Sequence, residues 1–500
     1  MSWPDWLVLA AYAAAVLALA FLTTRGRLGA GEWMLAGRAL PTWAVFGSMA
    51  ATELSAATFV GVPHASYTGD WTYLQFAVGA LAGKLIVSRT FVPLYHRLGV
   101  VTVYGFIRAR FGALAQRATA LLFVVGRLLA SGVRLYIAGL AFSVATGQSL
   151  FTAIALCGAL AAAYTMVGGI RAVVWTDVLQ GIVLCLGACA MLATLGSADE
   201  AGIRGIAHWA AEGDRTRVVS FPHYTALCDF FADARGFWVA LLGGCFLTLA
   251  THATDHDMVQ RLLTTRDGER GGRALLASGL VNFPLTALFL AIGTGLAWYY
   301  TQVTIPYDIS DSKQILPLFA LHELPAGARG LVFAGLFAAA MSSLDSAICA
   351  ITTTVLCDLR RSASDRAPER RQLWRGSVLT SVALVGVAVA MAHYAERGLG
   401  GEINLVELAL SAMTIVYGGL LGVFSLGMLT ERRGSEASVL SGLAAGAGAG
   451  ALLFLQVPIL GALGFPQRTA IAWPWWIPIA ASLAFAVAAT SRRDSRECAA

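Results

Sequence analysis

Residues 48–63 read SMAATELSAATFVGVP and lie in the second of a long series of apolar stretches. Four hydroxyl side chains and one carboxylate, Glu53, stand among the apolar residues, and Gly61 and Pro63 follow. Polar side chains inside a membrane are costly unless they face a partner or water, so this stretch is a poor continuous lipid-facing helix. It predicts a broken helix whose freed carbonyls line a cavity. The alternative is a continuous helix bent by hydroxyls that bond to the preceding turn, which leaves Glu53 unexplained.

The rest of the chain has the composition of a membrane protein. Hydrophobic residues make up 57% of the sequence and charged residues only 13%, too few charges to cover the surface of a soluble fold. Apolar runs of roughly 20 residues, enough to span a hydrocarbon core of about 30 Å, recur throughout, so we expect the first to be a span and not a cleaved signal. We predict an all-α polytopic membrane protein with about thirteen transmembrane helices. The spans lie near residues 5–23, 43–63, 72–95, 119–146, 151–169, 174–196, 236–257, 274–301, 328–357, 376–394, 404–429, 437–457 and 473–491.

The distribution of basic residues predicts the orientation of the chain. Arginines cluster in alternate connections, most densely between residues 97 and 117, 261 and 273, and 360 and 375, whereas the other connections hold fewer. Because cytoplasmic connections are enriched in Lys and Arg, we expect the N-terminus outside and the C-terminus in the cytoplasm, in a plasma (inner) membrane. The same asymmetry explains the net charge of +6, so the charge does not support binding of nucleic acid.

Several classes of function lack their usual sequence patterns. The sequence has no HExxH, no GxSxG and no cofactor-binding motif, so we do not expect an enzyme. The eight cysteines are scattered, mostly within predicted helices, without the paired spacing of a disulfide framework or a metal site.

Hydroxyl residues share one face of the span at residues 328–357. The segment AAAMSSLDS at residues 338–346 places Ala339, Ser342, Ser343 and Ser346 on one side of a helix by their spacing of three and four residues. Hard oxygen ligands in this arrangement suit a small alkali cation. Small residues at this spacing also form helix-packing surfaces, but packing alone does not explain the buried carboxylate of Asp345.

The seventh span ends in TLATHATDHD at residues 248–257, which is too polar to face lipid. It predicts a second broken helix, five spans after the first, as expected of two five-helix repeats in inverted orientation. Residue identity does not demonstrate this repeat. The two histidines and two aspartates are a poor zinc site, because they lie in one segment without further ligands.

Other charged residues are predicted within the membrane, and their roles stay open. Arg127 and Arg134 are seven residues apart on one helix face, and either they hold an anionic substrate or they pair with carboxylates such as Glu53. Lys84 is either paired or extended toward the headgroups. Asp177 either caps the sixth span or provides a carboxylate to a cation near the inner face.

The sequence resembles the sodium/solute symporter family along nearly all predicted spans. The most specific segments are SMAATELSAATFVGVP at 48–63, GGIRAVVWTDVLQ at 168–180, DHDMVQRLL at 255–263, AAAMSSLDS at 338–346 and YGGLLGVFSLGMLT at 417–430. The resemblance implies one transporter domain over residues 1–500 with the leucine-transporter fold. Its parts are an extra N-terminal helix at 5–23, inverted five-helix repeats at 43–196 and 236–429, and two C-terminal helices at 437–491.

The resemblance also implies where the coupling ion, Na⁺, binds. In the family, carbonyls of the first core helix and a carbonyl with two hydroxyls of the eighth form the sodium site, which places it at Ala51, Leu54, Ala339, Ser342 and Ser343. Some members hold a second sodium through an aspartate of the fifth core helix, which matches Asp177, with Ser342, Asp345 and Ser346 completing the site. Several members have a hydroxyl in place of Asp345, so this chain departs from their pattern at that position.

The substrate contacts implied by the resemblance come from several helices. They are Ser55 and Thr58, then Tyr73 and Gln75, then Arg127 or Arg134, together with Thr251 of the second broken helix. The pattern SA-x-T-x-x-G-x-P at residues 55–63 is similar to the pattern found in family members that carry anions. Sugar carriers of the family have an amide and an acid at the positions of Ala57, Thr58 and Ala77.

We therefore expect sodium-coupled uptake of a small polar solute by alternating access, with an organic anion such as a sialic acid or a monocarboxylate favoured. The alternatives are uptake of a sugar or amino acid, a channel, or a membrane-embedded sensor, which the lack of a soluble domain after residue 491 disfavours. Glu53 either pairs with an arginine or carries a proton as an alternative coupling ion. The expected partners are the solute and the lipid bilayer, with no obligatory protein partner evident.

Overall fold

The computed structural model describes residues 1–26, 29–54, 56–198, 200–303, 315–360, 367–397, 405–464 and 470–492. In this part of the chain, helices form nearly all of the regular structure. They are α1 (Trp3–Thr24), α2 (Ala30–Leu35), α3 (Thr42–Glu53), α4 (Ala56–Thr68), α5 (Leu74–Arg89), α6 (Phe91–Leu98), α7 (Tyr104–Phe111), α8 (Ala113–Thr146), α9 (Leu150–Ser197), α10 (Ile203–Glu212), α11 (Leu227–Ala232), α12 (Phe237–Leu249), α13 (His256–Leu263), α14 (Gly268–Gln302), α15 (Ile315–His322), α16 (Ala328–Thr354), α17 (Arg370–Glu396), α18 (Leu405–Leu429), α19 (Glu436–Phe454), α20 (Gln456–Ala462) and α21 (Trp476–Ala488).

Both broken helices predicted from the sequence are confirmed. α3 ends at Glu53, and its axis makes an angle of 57° with the helix over residues 58–68. α12 ends at Leu249 and continues as a π-helical turn, Ala250–Thr254. Asp255 then has an extended backbone, with φ −86° and ψ 115°, before α13 begins. These breaks place helix ends in the interior of the protein, where the start of α13 is capped by the Asp255 carboxylate.

The predicted count of thirteen spans is not confirmed. Nine helices of the described residues are long and apolar enough to cross a membrane, or ten if α3 and α4 count as one span. One reason for the difference is α9, whose 48 residues contain two predicted spans joined at Gly169. Gly169 has φ 55° and ψ −150°, and a Cβ atom there would overlap Trp33, so this sharp bend requires glycine.

α16 lies at the centre of the protein. Every residue from Val332 to Thr354 is buried. Its polar residues therefore face other helices and not lipid. Its first turn is held by Asp5 of α1, whose carboxylate accepts hydrogen bonds from the backbone N–H groups of Gly327 (2.8 Å) and Gly330 (3.0 Å). This contact satisfies donors that a helix start otherwise leaves free, and it joins the N-terminal helix to the core.

Glycines allow α5 and α12 to pack with their backbones in close contact. A Cβ atom on Gly244 would lie 2.6 Å from the carbonyl oxygen of Phe76, and one on Gly83 would lie 2.7 Å from that of Cys245. The second broken helix is thereby held against α5, and their polar residues meet in the space between them and α3.

Candidate functional site

A cavity of about 360 Å³ lies where the two broken helices meet. Its walls come from α3, α4, α5, α8, α12, α13, α14 and α18, from the π-helical turn after α12, and from the residues that precede α21. The polar residues that line it are Thr52, Glu53, Thr58, Lys84, Thr248, Thr251, His252, Asn282, Thr286, Thr414, Tyr417 and Arg134. Phe76 and Trp473 stack at the cavity wall with ring centroids 5.0 Å apart, and Tyr73 lies next to Phe76.

Glu53 is the centre of one polar cluster in this cavity. The Lys84 ammonium lies 2.7 Å from both carboxylate oxygens, and the Nε2 atom of His252 lies 3.1 Å from one of them. Asn282 donates to the other oxygen. In the part of the chain that the structure describes, no arginine pairs with Glu53, which was one of the alternatives left open by the sequence. Lys84 is the partner, so its role is pairing and not extension to the headgroups.

The Glu53–Lys84 pair predicts a specific pattern of stability. Lys84 is 1% exposed, and the Glu53 side chain is 14% exposed. Replacing Lys84 by methionine leaves a buried carboxylate without its counterion, which costs about 3–5 kcal/mol. We expect K84M to lower the thermal unfolding temperature of the purified protein. The double variant with Glu53→Gln should recover most of the loss, and an equally unstable double variant would contradict the pairing.

The two arginines of α8 have different environments although they share one helix face. The guanidinium of Arg127 lies 3.0 Å from Asp255 and also contacts Asp257, and Arg127 is 1% exposed. Tyr417 donates to the same Asp255 carboxylate over 2.7 Å. Arg134 lines the cavity, and within the described residues it has no hydrogen bond or ion pair. Arg134 is therefore the arginine that is available to a ligand.

The residues predicted to hold sodium lie on two elements that contact each other. The hydroxyl oxygens of Thr52 on α3 and Ser342 on α16 are 3.1 Å apart. α3 ends at Glu53, and the carbonyls of the last turn of a helix lack partners within that helix. Ser343 lies one residue after Ser342, and its hydroxyl is 3.5 Å from the carbonyl oxygen of Ala339. Carbonyl and hydroxyl oxygens are the donors that a hard monovalent cation prefers, so these residues fit sodium.

All five residues of this predicted sodium site are buried. They are Ala51 (4% exposed), Leu54 (4%), Ala339 (2%), Ser342 (1%) and Ser343 (0%).

The residues predicted for a second sodium are also buried, but each carboxylate has protein donors. Asp177 accepts from Ser342 (2.6 Å), from Ser48 (2.5 Å) and from Arg261 (3.1 Å). It lies within the second half of α9, beyond the Gly169 bend, so it does not cap that helix. Asp345 accepts from the Tyr164 hydroxyl over 2.8 Å and from the backbone N–H of Ser346, whose own hydroxyl donates to the carbonyl of Ser342.

The predicted substrate contacts are divided between the cavity and its surroundings. Thr58, Tyr73 and Thr251 line the cavity. Gln75 does not, because its amide group donates to the carbonyls of Thr72 (3.0 Å) and Arg235 (2.9 Å) and accepts from a backbone N–H. Ser55 lies outside the described residues.

Several cavity or network residues had no assigned role from the sequence, and four of them illustrate why. Asn282 is an isolated amide in an apolar stretch of α14, a signal that would have pointed to it. Arg261 lies in DHDMVQRLL, where its charge within a buried helix is a similar signal. Tyr417 and Trp473 are remote from the polar segments in sequence, and no local pattern identifies them.

Comparison with known proteins gives consistent matches. The model of the sodium:solute symporter family matches residues 33–446. The sodium/sialic acid symporter NanT of Aliivibrio fischeri is 28% identical over 450 residues, which cover 87% of this chain and 85% of that protein. The sodium-coupled monocarboxylate transporter 2 of Danio rerio is 28% identical over 429 residues, which cover 84% of this chain and 66% of that protein.

Two solved structures show the same arrangement of helices. One is a Na⁺-coupled sialic acid symporter in a substrate-bound outward-open state, with a TM-score of 0.82, 24% identity and coverage of 98% of this chain and 97% of that chain. The other is a transporter of the nucleobase-cation-symport-1 family in a closed conformation, with a TM-score of 0.57, 15% identity and coverage of 91% and 93%. These likenesses confirm the predicted leucine-transporter fold.

Proposed function

The chain belongs to the sodium:solute symporter family, and from this we propose that it carries a small organic anion into the cytoplasm together with sodium. It is a multi-pass membrane transporter with sodium as its coupling ion, and it is not an enzyme. The anion is a sialic acid or a monocarboxylate. Proteins named for these two classes of substrate are among its relatives, which supports the choice.

The observation that carries the proposal is the unpaired guanidinium of Arg134 in the cavity wall. Within the described lining, the charge of Glu53 is compensated by Lys84, so Arg134 leaves the cavity with an excess positive charge. Arg134 is half-buried in the cavity wall, and a substrate carboxylate would compensate its charge through paired N–H···O bonds. A neutral sugar would leave Arg134 uncompensated.

Sodium binds at Ala51, Leu54, Ala339, Ser342 and Ser343 in this proposal. Thr52 and Leu54 line the cavity, and Thr52 also contacts Ser342. The last turn of α3 is therefore shared between the ion site and the substrate cavity. An ion that orders this turn also shapes the substrate site, and by linkage the substrate strengthens ion binding to the same extent. Alternating access then requires sodium to bind the outward-facing and inward-facing states with different affinity.

The number of sodium ions determines how strongly the substrate accumulates. One sodium moving down about 100 mV yields roughly 2.3 kcal/mol, and a tenfold concentration ratio adds about 1.4 kcal/mol. If the substrate carries one negative charge, a cycle that moves one sodium with one substrate moves no net charge. Only the sodium concentration ratio then contributes to the driving free energy. A second sodium at the residues that the family resemblance implies, Asp177, Ser342, Asp345 and Ser346, would restore the voltage contribution.

The proposal includes the orientation and the internal repeats of the chain. The N-terminus is outside and the C-terminus is cytoplasmic, in the plasma (inner) membrane, as the arginine clusters indicate. The helices at 43–196 and 236–429 form two inverted repeats, with further helices at 5–23 and 437–491. The presence of a broken helix near the start of each repeat supports this division. No obligatory protein partner is proposed.

Ligand-induced stabilisation of the purified protein tests the proposal. We expect sialic acids or monocarboxylates to raise the unfolding temperature in sodium and not in potassium, while neutral sugars have no effect. Stabilisation by sugars or amino acids alone would contradict the anionic substrate. Stabilisation that is indifferent to sodium would contradict sodium coupling and favour a proton carried by Glu53.

A further inference from the structure

Asp177 and Arg261 form an ion pair with no exposed surface next to the predicted sodium site. The Nη2 atom of Arg261 lies 3.1 Å from Oδ2 of Asp177, and both side chains are 0% exposed. The pair joins α13, which follows the second broken helix, to α9.

Asp177 accepts the proton of the Ser342 hydroxyl. The oxygens of that hydrogen bond are 2.6 Å apart. A serine hydroxyl has one proton and two acceptor lone pairs, so a proton donated to Asp177 leaves the oxygen lone pairs for other groups. One such group is the Thr52 hydroxyl on α3, whose oxygen lies 3.1 Å from the Ser342 oxygen. The hydrogen bond thus sets the direction in which the Ser342 oxygen presents its lone pairs.

Arg261 binds Asp177 through Oδ2, the carboxylate oxygen that Ser342 does not contact. Its Nε atom donates to the Ser48 hydroxyl over 3.0 Å, and that hydroxyl donates to Asp177 over 2.5 Å. The Nη1 atom of Arg261 donates to the side chain (2.9 Å) and the backbone carbonyl (2.8 Å) of Asp257. The guanidinium is therefore held in place through all three of its nitrogen atoms. Its positive charge is shared by the carboxylates of Asp177 and Asp257, so Asp177 already has a protein cation as its partner.

We propose that Asp177 and Arg261 are positioning residues of the sodium site formed by Ala51, Leu54, Ala339, Ser342 and Ser343, and that Asp177 is not a ligand of a second sodium. Arg261 fixes the carboxylate of Asp177, and the carboxylate orients the Ser342 oxygen toward the ion. This inference rests on the proposed function, since it takes that sodium site as given. It also assigns a role to the DHDMVQRLL segment, whose Arg261 reaches the ion site through Asp177.

Equilibrium binding of radioactive sodium to the purified protein tests this inference, since it measures both the dissociation constant and the number of ions bound. Changes to groups that orient a metal ligand typically weaken affinity about 10–100-fold. We expect Asp177→Asn to raise the sodium dissociation constant by about that factor without changing the number of ions bound. Arg261→Lys, which keeps the charge but loses the Nε donor to Ser48, should show a smaller increase.

Two outcomes would overturn the inference. If Asp177→Asn lowers the number of bound ions by one and leaves the affinity of the remaining ion unchanged, Asp177 is a direct ligand. If neither quantity changes, Asp177 does not support the site. Should Asp177→Asn fail to fold because Arg261 loses one of its two carboxylate partners, the double variant with Arg261→Gln removes both charges of the pair, and the same two quantities are measured on it.

The control is Ser377→Ala, which removes a buried hydroxyl that donates only to the carbonyl of Leu373 on α17 (2.9 Å). It should bind sodium like the unsubstituted protein. If the unsubstituted protein binds no sodium at all, the proposed function fails. That result differs from a failure of the positioning role, in which sodium binds normally to the protein and to its Asp177 variant.

Discussion

Sodium-driven uptake is expected to disappear when Ser342 and Ser343 are both replaced by alanine. Each substitution removes a hydroxyl oxygen from the predicted ion site, and a hydrogen-bond-like contact to a charged group contributes about 1.5–3 kcal/mol. Each single variant should therefore need roughly tenfold to a hundredfold more sodium for half-maximal uptake. The double variant should show no sodium dependence in the accessible range.

The measurement is the uptake rate of the substrate as a function of sodium concentration in proteoliposomes. Ser377→Ala is again the matched control, because it removes a buried hydroxyl on α17 that lies outside the predicted ion site. It should keep the sodium dependence of the unsubstituted protein. Full sodium dependence in the Ser343→Ala variant would refute the location of the ion site.

Replacing Arg134 by glutamine is expected to weaken substrate binding strongly without destabilising the empty protein. A charge pair with the substrate carboxylate accounts for about 2–5 kcal/mol, so affinity should fall at least about thirtyfold and as much as several thousandfold. Arg134 has no hydrogen bond or ion pair within the described residues, so its removal should leave stability unchanged or raise it. Arg134→Lys keeps the charge but loses the planar pair of donors, and it should recover only part of the affinity.

Arg127 provides the matched comparison on the same helix. Its charge compensates Asp255 and Asp257, so Arg127→Gln should cost about 3–5 kcal/mol of stability. Thermal unfolding with and without substrate measures both effects. If Arg134→Gln keeps substrate-induced stabilisation while Arg127→Gln folds normally and loses it, the roles assigned to the two arginines are reversed.

Much of the fold was predictable because the membrane imposes local rules on sequence. Apolar runs identified the spans, and the polar residues within 48–63 and 248–257 identified both broken helices. The number of spans was less predictable. α9 counts once although its backbone is non-helical at Gly169, so the two predicted spans that it contains, 151–169 and 174–196, meet at a sharp kink.

The candidate site was only partly predictable. Thr58, Tyr73, Thr251 and Glu53 were selected from the sequence, and all four line the cavity. Gln75 was selected on the same grounds, yet its amide binds backbone groups outside the cavity. A side chain near a helix start has several backbone groups within reach, and which of them it binds depends on the loop that packs there.

The sequence by itself determined that the chain is an all-helical membrane protein, that its helices break at two places, and that hydroxyl oxygens suited to sodium lie on one face of α16. These properties follow from the solvent and from spacing within single helices. Only the tertiary structure decided which charges meet. Arg127 and Arg134 are equivalent in sequence, and they differ because the extended residue after α12 brings Asp255 and Asp257 to the first and not to the second. Pairing between charges on separate helices depends on helix packing, which no local pattern specifies.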